Sequence, residues 1–133
     1  MTKKKKPEPE YRLNIFYYYD KQTKEKKLVF LVRTIQEFVN FNYEILLNDK
    51  VEDHTIHIKI GGLNTPSSLM PGTGPARGKK EYAMLKGTYL LVVSRLDGAR
   101  NDFRLEITPH SVRILDIPKN PLVLVSAEPV MLL

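Results

Sequence analysis

The chain has no cysteine and no tryptophan among its 133 residues. Without thiols, a disulfide framework, a Cys-ligated zinc, an iron–sulfur cluster and a thiol nucleophile are all excluded. No apolar run approaches the roughly 18 residues of a membrane helix, so no membrane span is expected. The basic start, Met1–Lys6, runs into Pro7-Glu8-Pro9-Glu10, where a signal peptide would carry its apolar region. A cytoplasmic protein is the expectation.

Catalytic signatures are scarce as well. There is no Gly-x-Ser-x-Gly and no His-Glu-x-x-His. Gly72–Lys80 approaches a phosphate-binding loop but has five residues between Gly72 and Gly78, and Lys80 stands where Ser or Thr belongs. His54 and His57 are three apart, so on a strand they point to opposite faces and should not share an ion. The carboxylates Asp49, Glu52, Asp53, Asp97 and Asp102 fall in turn-like stretches, where Asp is common for conformational reasons. No catalytic residue, metal ligand or cofactor is expected, and the chain reads as a non-enzyme.

What is present is an alternating pattern. Leu13, Ile15, Tyr17 and Tyr19 fall on one side of a period-two strand, with Arg12, Asn14, Phe16 and Tyr18 on the other. Lys27–Thr34 is rich in β-formers and completes a hairpin. Thr34 and Glu37 fit a capping box, which predicts one short helical turn near 35–38. Strict alternation then predicts a strand over 39–47, a loop at 48–53 and a strand over 54–60. The stretch 61–80 holds five of the seven glycines and reads as a long Gly/Pro-rich loop. Further strands are expected at 82–85, 87–95, 102–108, 112–117 and 122–127, with a turn at Asp97-Gly98.

This spacing argues for an all-β fold, an antiparallel β-sandwich of immunoglobulin-like topology or a small barrel. One domain over 11–133 follows a disordered basic, Pro-containing arm over 1–10.

The charge is uneven. Residues 75–104 hold seven basic and three acidic residues, a net +4 out of +6 for the chain. Two functions compete. In the first, the chain is a β-sandwich that binds another protein, or itself, through loop 61–80 and its edge strands. In the second it binds nucleic acid through phosphate contacts from Arg77, Lys79, Lys80, Arg95, Arg100 and Arg104 and the N-terminal lysines, with Phe16 and Tyr18 placed to stack bases. The apolar tail Pro129–Leu133 is expected either to build an interface between copies or to fold back as a last core strand.

Overall fold

The computed structural model describes residues 9–38, 43–64, 74–83, 85–119 and 121–130. Among them there is no helix, and none long and apolar enough to cross a membrane. Nine strands form one sheet: β1 (Tyr11–Asp20), β2 (Glu25–Phe38), β3 (Glu44–Glu52), β4 (Thr55–Asn64), β5 (Gly74–Tyr82), β6 (Gly87–Arg95), β7 (Arg100–Ile107), β8 (Val112–Asp116) and β9 (Val123–Ser126). Their spatial order is β8-β7-β6-β4-β3-β5-β2-β1-β9. The expected pair of antiparallel sheets is therefore replaced by a single mixed sheet, in which β1–β9, β4–β6 and β3–β5 run parallel.

The alternation read from the sequence decides which face is buried. Leu13 and Ile15, then Leu28, Phe30 and Val32, then Ile56, Ile58 and Ile60 all point to one side. Leu91 and Val93 of β6 and Phe103, Leu105 and Ile107 of β7 join them. Each such side chain contributes roughly 1.5–3 kcal/mol when fully buried. Among the described residues nothing else covers this face, and the sheet rolls over it into a nearly barrel-shaped form.

Polar contacts tie the seam at both ends. The Tyr17 hydroxyl donates to Thr108 O, and Lys26 Nζ donates to Pro109 O at 2.6 Å. At the opposite end Leu122 N donates to Asn101 Oδ1 at 2.5 Å, while Leu122 O accepts from Glu10 N at 3.0 Å in continuation of the β1–β9 pairing.

Several expectations are corrected. The helical turn at 35–38 is strand, because cross-strand partners take up the groups a helix would have used. Ile35 N donates to Glu10 O, and the Thr34 hydroxyl accepts from Ala76 N on β5 and donates to Gln36 O. A bulge between Arg33 and Glu37 accommodates them.

The expected loop at 48–53 is the second half of β3. It turns at Asp53-His54, both with positive φ (49° and 61°), the signature of a two-residue type I′ hairpin. Loop 61–80 is shorter than expected: Gly61–Asn64 ends β4, Gly74–Tyr82 is β5, and the centre, 65–73, lies outside the described residues. So do residues 1–8 of the arm, 39–42 and 131–133. Up to Val130, the tail folds onto its own sheet. β9 pairs with β1, and Val130 packs on Phe16, Val29 and Leu31 of the outer face.

Gly78 has a specific reason to be glycine. A Cβ there would lie far inside contact distance of the Ile45 carbonyl oxygen and 3.3 Å from Ile45 Cβ. This is where β5 passes β3, whose only backbone ladder contact joins Glu44 to Arg77.

Candidate functional site

The residues expected to bind are not brought together. Phe16 is only 4% exposed, sealed between Val29, Leu31 and Val130, and offers no stacking face. Tyr18, two residues on along the same face, is 40% exposed. Arg77 and Lys79 point outward from β5, whereas Lys80 takes the opposite parity and pairs with Asp49 at 3.4 Å. Arg95 lies at the β6–β7 turn. Arg100 and Arg104 alternate outward along β7, which lies four strands from β5 in the sheet order.

Most of these cations already have a carboxylate. Lys79 pairs with Glu81 at 2.9 Å, Arg95 with Asp97 at 2.8 Å and Glu10 at 3.1 Å, Arg100 with Asp102 at 3.5 Å, and Arg104 with Asp116 at 3.6 Å. The carboxylates respond. Hydrogen bonding from Lys79, followed by the Lys79 and Lys27 charges, holds Glu81 below the usual carboxylate range. The Ala99 backbone N–H and then Arg95 do the same for Asp97. Exposed pairs of this kind contribute only about 0–1 kcal/mol each, but they spend the positive charge locally. Among the described residues, Arg77 alone of the six expected cations has no carboxylate within ion-pair distance.

The acidic groups do not assemble a metal site. Among the described residues no three His, Asp or Glu side chains converge. His54 stacks against Tyr89 with ring centroids 5.0 Å apart. A polar contact does form between β3 and β5, where the half-buried Tyr82 donates its hydroxyl proton to Oδ2 of the exposed Asp49 at 2.5 Å. Burial, and then the Asp49 charge and hydrogen bond, raise the Tyr82 hydroxyl well above the normal phenol range.

Among the described residues the sheet leaves one strand edge open. β8 terminates the sheet order and pairs only with β7. Thr108 N donates to Ser111 O at 2.9 Å across that hairpin. Antiparallel pairs alternate between bonded and non-bonded, so Val112 and Ile114 direct their N–H and C=O groups away from β7. Beside them Leu115 is 40% exposed, and Ile117, just beyond the strand, is 59% exposed. The other terminal strand, β9, is better protected, because Asn101 reaches across to Leu122 and the chain after Ser126 turns over the outer face.

Sequence reading missed two cations that the fold places beside Arg77. Arg12 pairs with Arg33 across β1–β2, and Arg33 pairs with Arg77 across β2–β5. The β1–β2 hairpin alone carries the signal for the first pair, since its register aligns Tyr11 with Thr34.

The chain matches no family model, no curated protein and no solved structure.

Proposed function

We propose that this chain is a non-catalytic interaction module that takes up an extended segment of another protein along the open edge of β8. The observation that carries this reading is the outward row of backbone donors and acceptors at Val112 and Ile114, flanked by exposed Leu115 and Ile117. Backbone pairing at a free sheet edge supplies affinity, and alternate side chains supply selectivity. The edge strand carries the proposal rather than loop 61–80, whose centre lies outside the described residues. A cytoplasmic setting belongs to the same proposal. The nucleic-acid alternative is supported less well, because five of the six expected cations are paired with carboxylates and they are spread over β5, β6 and β7.

The test is to select extended peptides from a displayed library on the wild-type protein. Selected peptides are expected to protect the Val112 and Ile114 amides from hydrogen exchange. They should bind almost equally at low and high salt and lose binding to the double variant Leu115→Lys/Ile117→Lys. Protection confined to other strands, or binding that collapses with added salt, rejects the edge as the site.

A further inference from the structure

On the outer face of β1, β2 and β5 three arginines stand in one cross-strand row: Arg12 opposite Arg33, and Arg33 opposite Arg77. Directly opposed residues have Cβ atoms about 4.5–5.5 Å apart, and like charges so placed repel. None of the three has a carboxylate within ion-pair distance among the described residues. The other four arginines, Arg95, Arg100, Arg104 and Arg113, each pair with a carboxylate. Among the arginines the row is the exception.

Arg33 is also held in place with a donor to spare. Its Nη2 donates to Asn14 Oδ1 at 3.0 Å, and Asn14, itself buried, donates through Nδ2 to Glu128 O at 3.1 Å. Arg33 Nε is buried and has no hydrogen-bond partner. A buried, unpartnered donor on a charged group costs more than a neutral one. Burial and the neighbouring Arg12 and Arg77 charges all act to weaken the hold of Arg33 on its proton.

The returning tail walls a half-open pocket of 290 Å³ at this spot, lined among others by Arg12, Asn14, Arg33, Ser126 and Glu128. Ser126 Oγ accepts from Glu128 N at 3.1 Å, which leaves its own proton free to donate. Among the described residues Glu128 is the only acidic side chain lining the pocket, and it forms no ion pair with either arginine.

We infer that this pocket binds a single phosphoryl group, with Arg12 and Arg33 as its charged donors, the Ser126 hydroxyl as a neutral one and Arg77 adding charge from the neighbouring strand. A tetrahedral dianion matches the charge surplus of the row better than a lone carboxylate does, and forked guanidinium donors suit phosphate oxygens. The pocket is walled by Leu124–Ser126 and Glu128–Val130, and the next cation along β5, Lys79, is committed to Glu81. That favours one phosphoryl group over a polyanionic strand lying across the face.

The site is independent of the β8 edge and is tested on the full chain with inorganic phosphate, glycerol phosphate and a short oligothymidylate, at matched ionic strength. Titration with the phosphoryl ligands is expected to shift the Arg33 Nε–H resonance saturably. Arg33→Met should weaken binding at least tenfold. Because Arg33 also braces Asn14, Arg12→Ala provides the same test at an exposed side chain and should also weaken binding at least tenfold. Glu128→Gln should tighten it. Stronger binding of glycerol phosphate than of inorganic phosphate assigns a ligand-borne phosphomonoester, and the reverse order assigns the free ion. An equal shift with chloride, or wild-type affinity in both arginine variants, overturns the site. So does oligothymidylate binding tenfold tighter than glycerol phosphate through the same arginines.

Discussion

Removing the Asn101 side chain is expected to open the seam of the rolled sheet at one end. Asn101 is one of two buried polar side chains among the described residues, and its Oδ1 accepts the backbone proton of Leu122, itself buried, at 2.5 Å. In Asn101→Ala that N–H loses its partner without gaining water. An unmade buried bond of this kind costs about 1–3 kcal/mol, and the cavity left by the amide adds to it, so a loss of about 2–3 kcal/mol is expected. For a chain of this length the unfolding entropy is about 0.28 kcal/mol/K, which converts that loss to a fall in Tm of about 7–11 °C.

The informative measurement is native-state hydrogen exchange alongside the melt. Leu122 N should lose protection, and so should Glu10 N, which donates to Leu122 O. Leu105→Ala is the control. It removes a fully buried core side chain, at a cost of about 2–5 kcal/mol, and should lower protection across the sheet without singling out Leu122. If Asn101→Ala melts within about 0.5 kcal/mol of wild type, a margin typical of harmless surface changes, or if Leu122 keeps its protection, the seam is held by packing alone and the reasoning fails.

Three further outcomes are expected. Gly78→Ala should destabilise by about 3 kcal/mol or more, the upper end of overpacking costs, because its Cβ meets the Ile45 backbone rather than a side chain that can move; urea melts that coincide with wild type would refute the close crossing. In an alkaline titration followed by tyrosinate absorbance, Tyr82 should ionise last. Its folded pKa is raised, chiefly by burial, so the folded state holds the proton longer and stability should decline as pH rises above about 10, the unfolded value; Tyr82→Phe should lessen that decline, to which Tyr11 and Tyr17, also raised by burial, contribute the rest, and an unchanged slope would refute it. Replacing the Asp53-His54 turn by Asn-Gly should shift stability by less than about 1 kcal/mol, because relief of positive φ at both positions is offset by loss of the His54–Tyr89 ring contact; a change well beyond that, in either direction, would mean that one of the two effects is absent.

The parts of the fold legible in sequence are those governed by neighbours two residues away. The alternation of Ile56, Ile58 and Ile60, or of Phe103, Leu105 and Ile107, determines the buried face whatever the topology, and those residues are buried as expected. The turn at Asp97-Gly98 is likewise local: Gly98 takes a φ of 88° and donates to Arg95 O. Illegible were the features that depend on partners far along the chain. The capping-box pattern at Thr34–Glu37 is valid locally, yet Ala76, 42 residues later, takes the Thr34 hydroxyl into a bulge. Phe16 has the parity of an exposed residue, and only the return of Val130 buries it. Parallel pairing of β1 with β9 and β4 with β6 leaves no turn signal, because parallel neighbours are not joined by short hairpins.

The same distinction explains why a charge count along the sequence misjudged the surface. Summed over 75–104 the excess looks like one basic patch, but strand alternation sends Lys80 to the opposite side from Arg77 and Lys79, and the sheet order carries Arg100 and Arg104 to β7. Local carboxylates then neutralise most of them. The concentration of charge that survives draws on positions 12, 33 and 77, two of which lie in a stretch with almost balanced charge. Cross-strand register, rather than proximity in sequence, creates it. Swapping charge within the row therefore separates the two descriptions. Arg77→Glu should stabilise the fold by up to about 1 kcal/mol by giving Arg33 an opposed carboxylate. The same substitution at Arg100, which already faces Asp102, should destabilise it slightly or leave it unchanged. Thermal melts of the two single variants at low salt decide the matter, and equal shifts for both would mean that Arg12, Arg33 and Arg77 do not act on one another as a row.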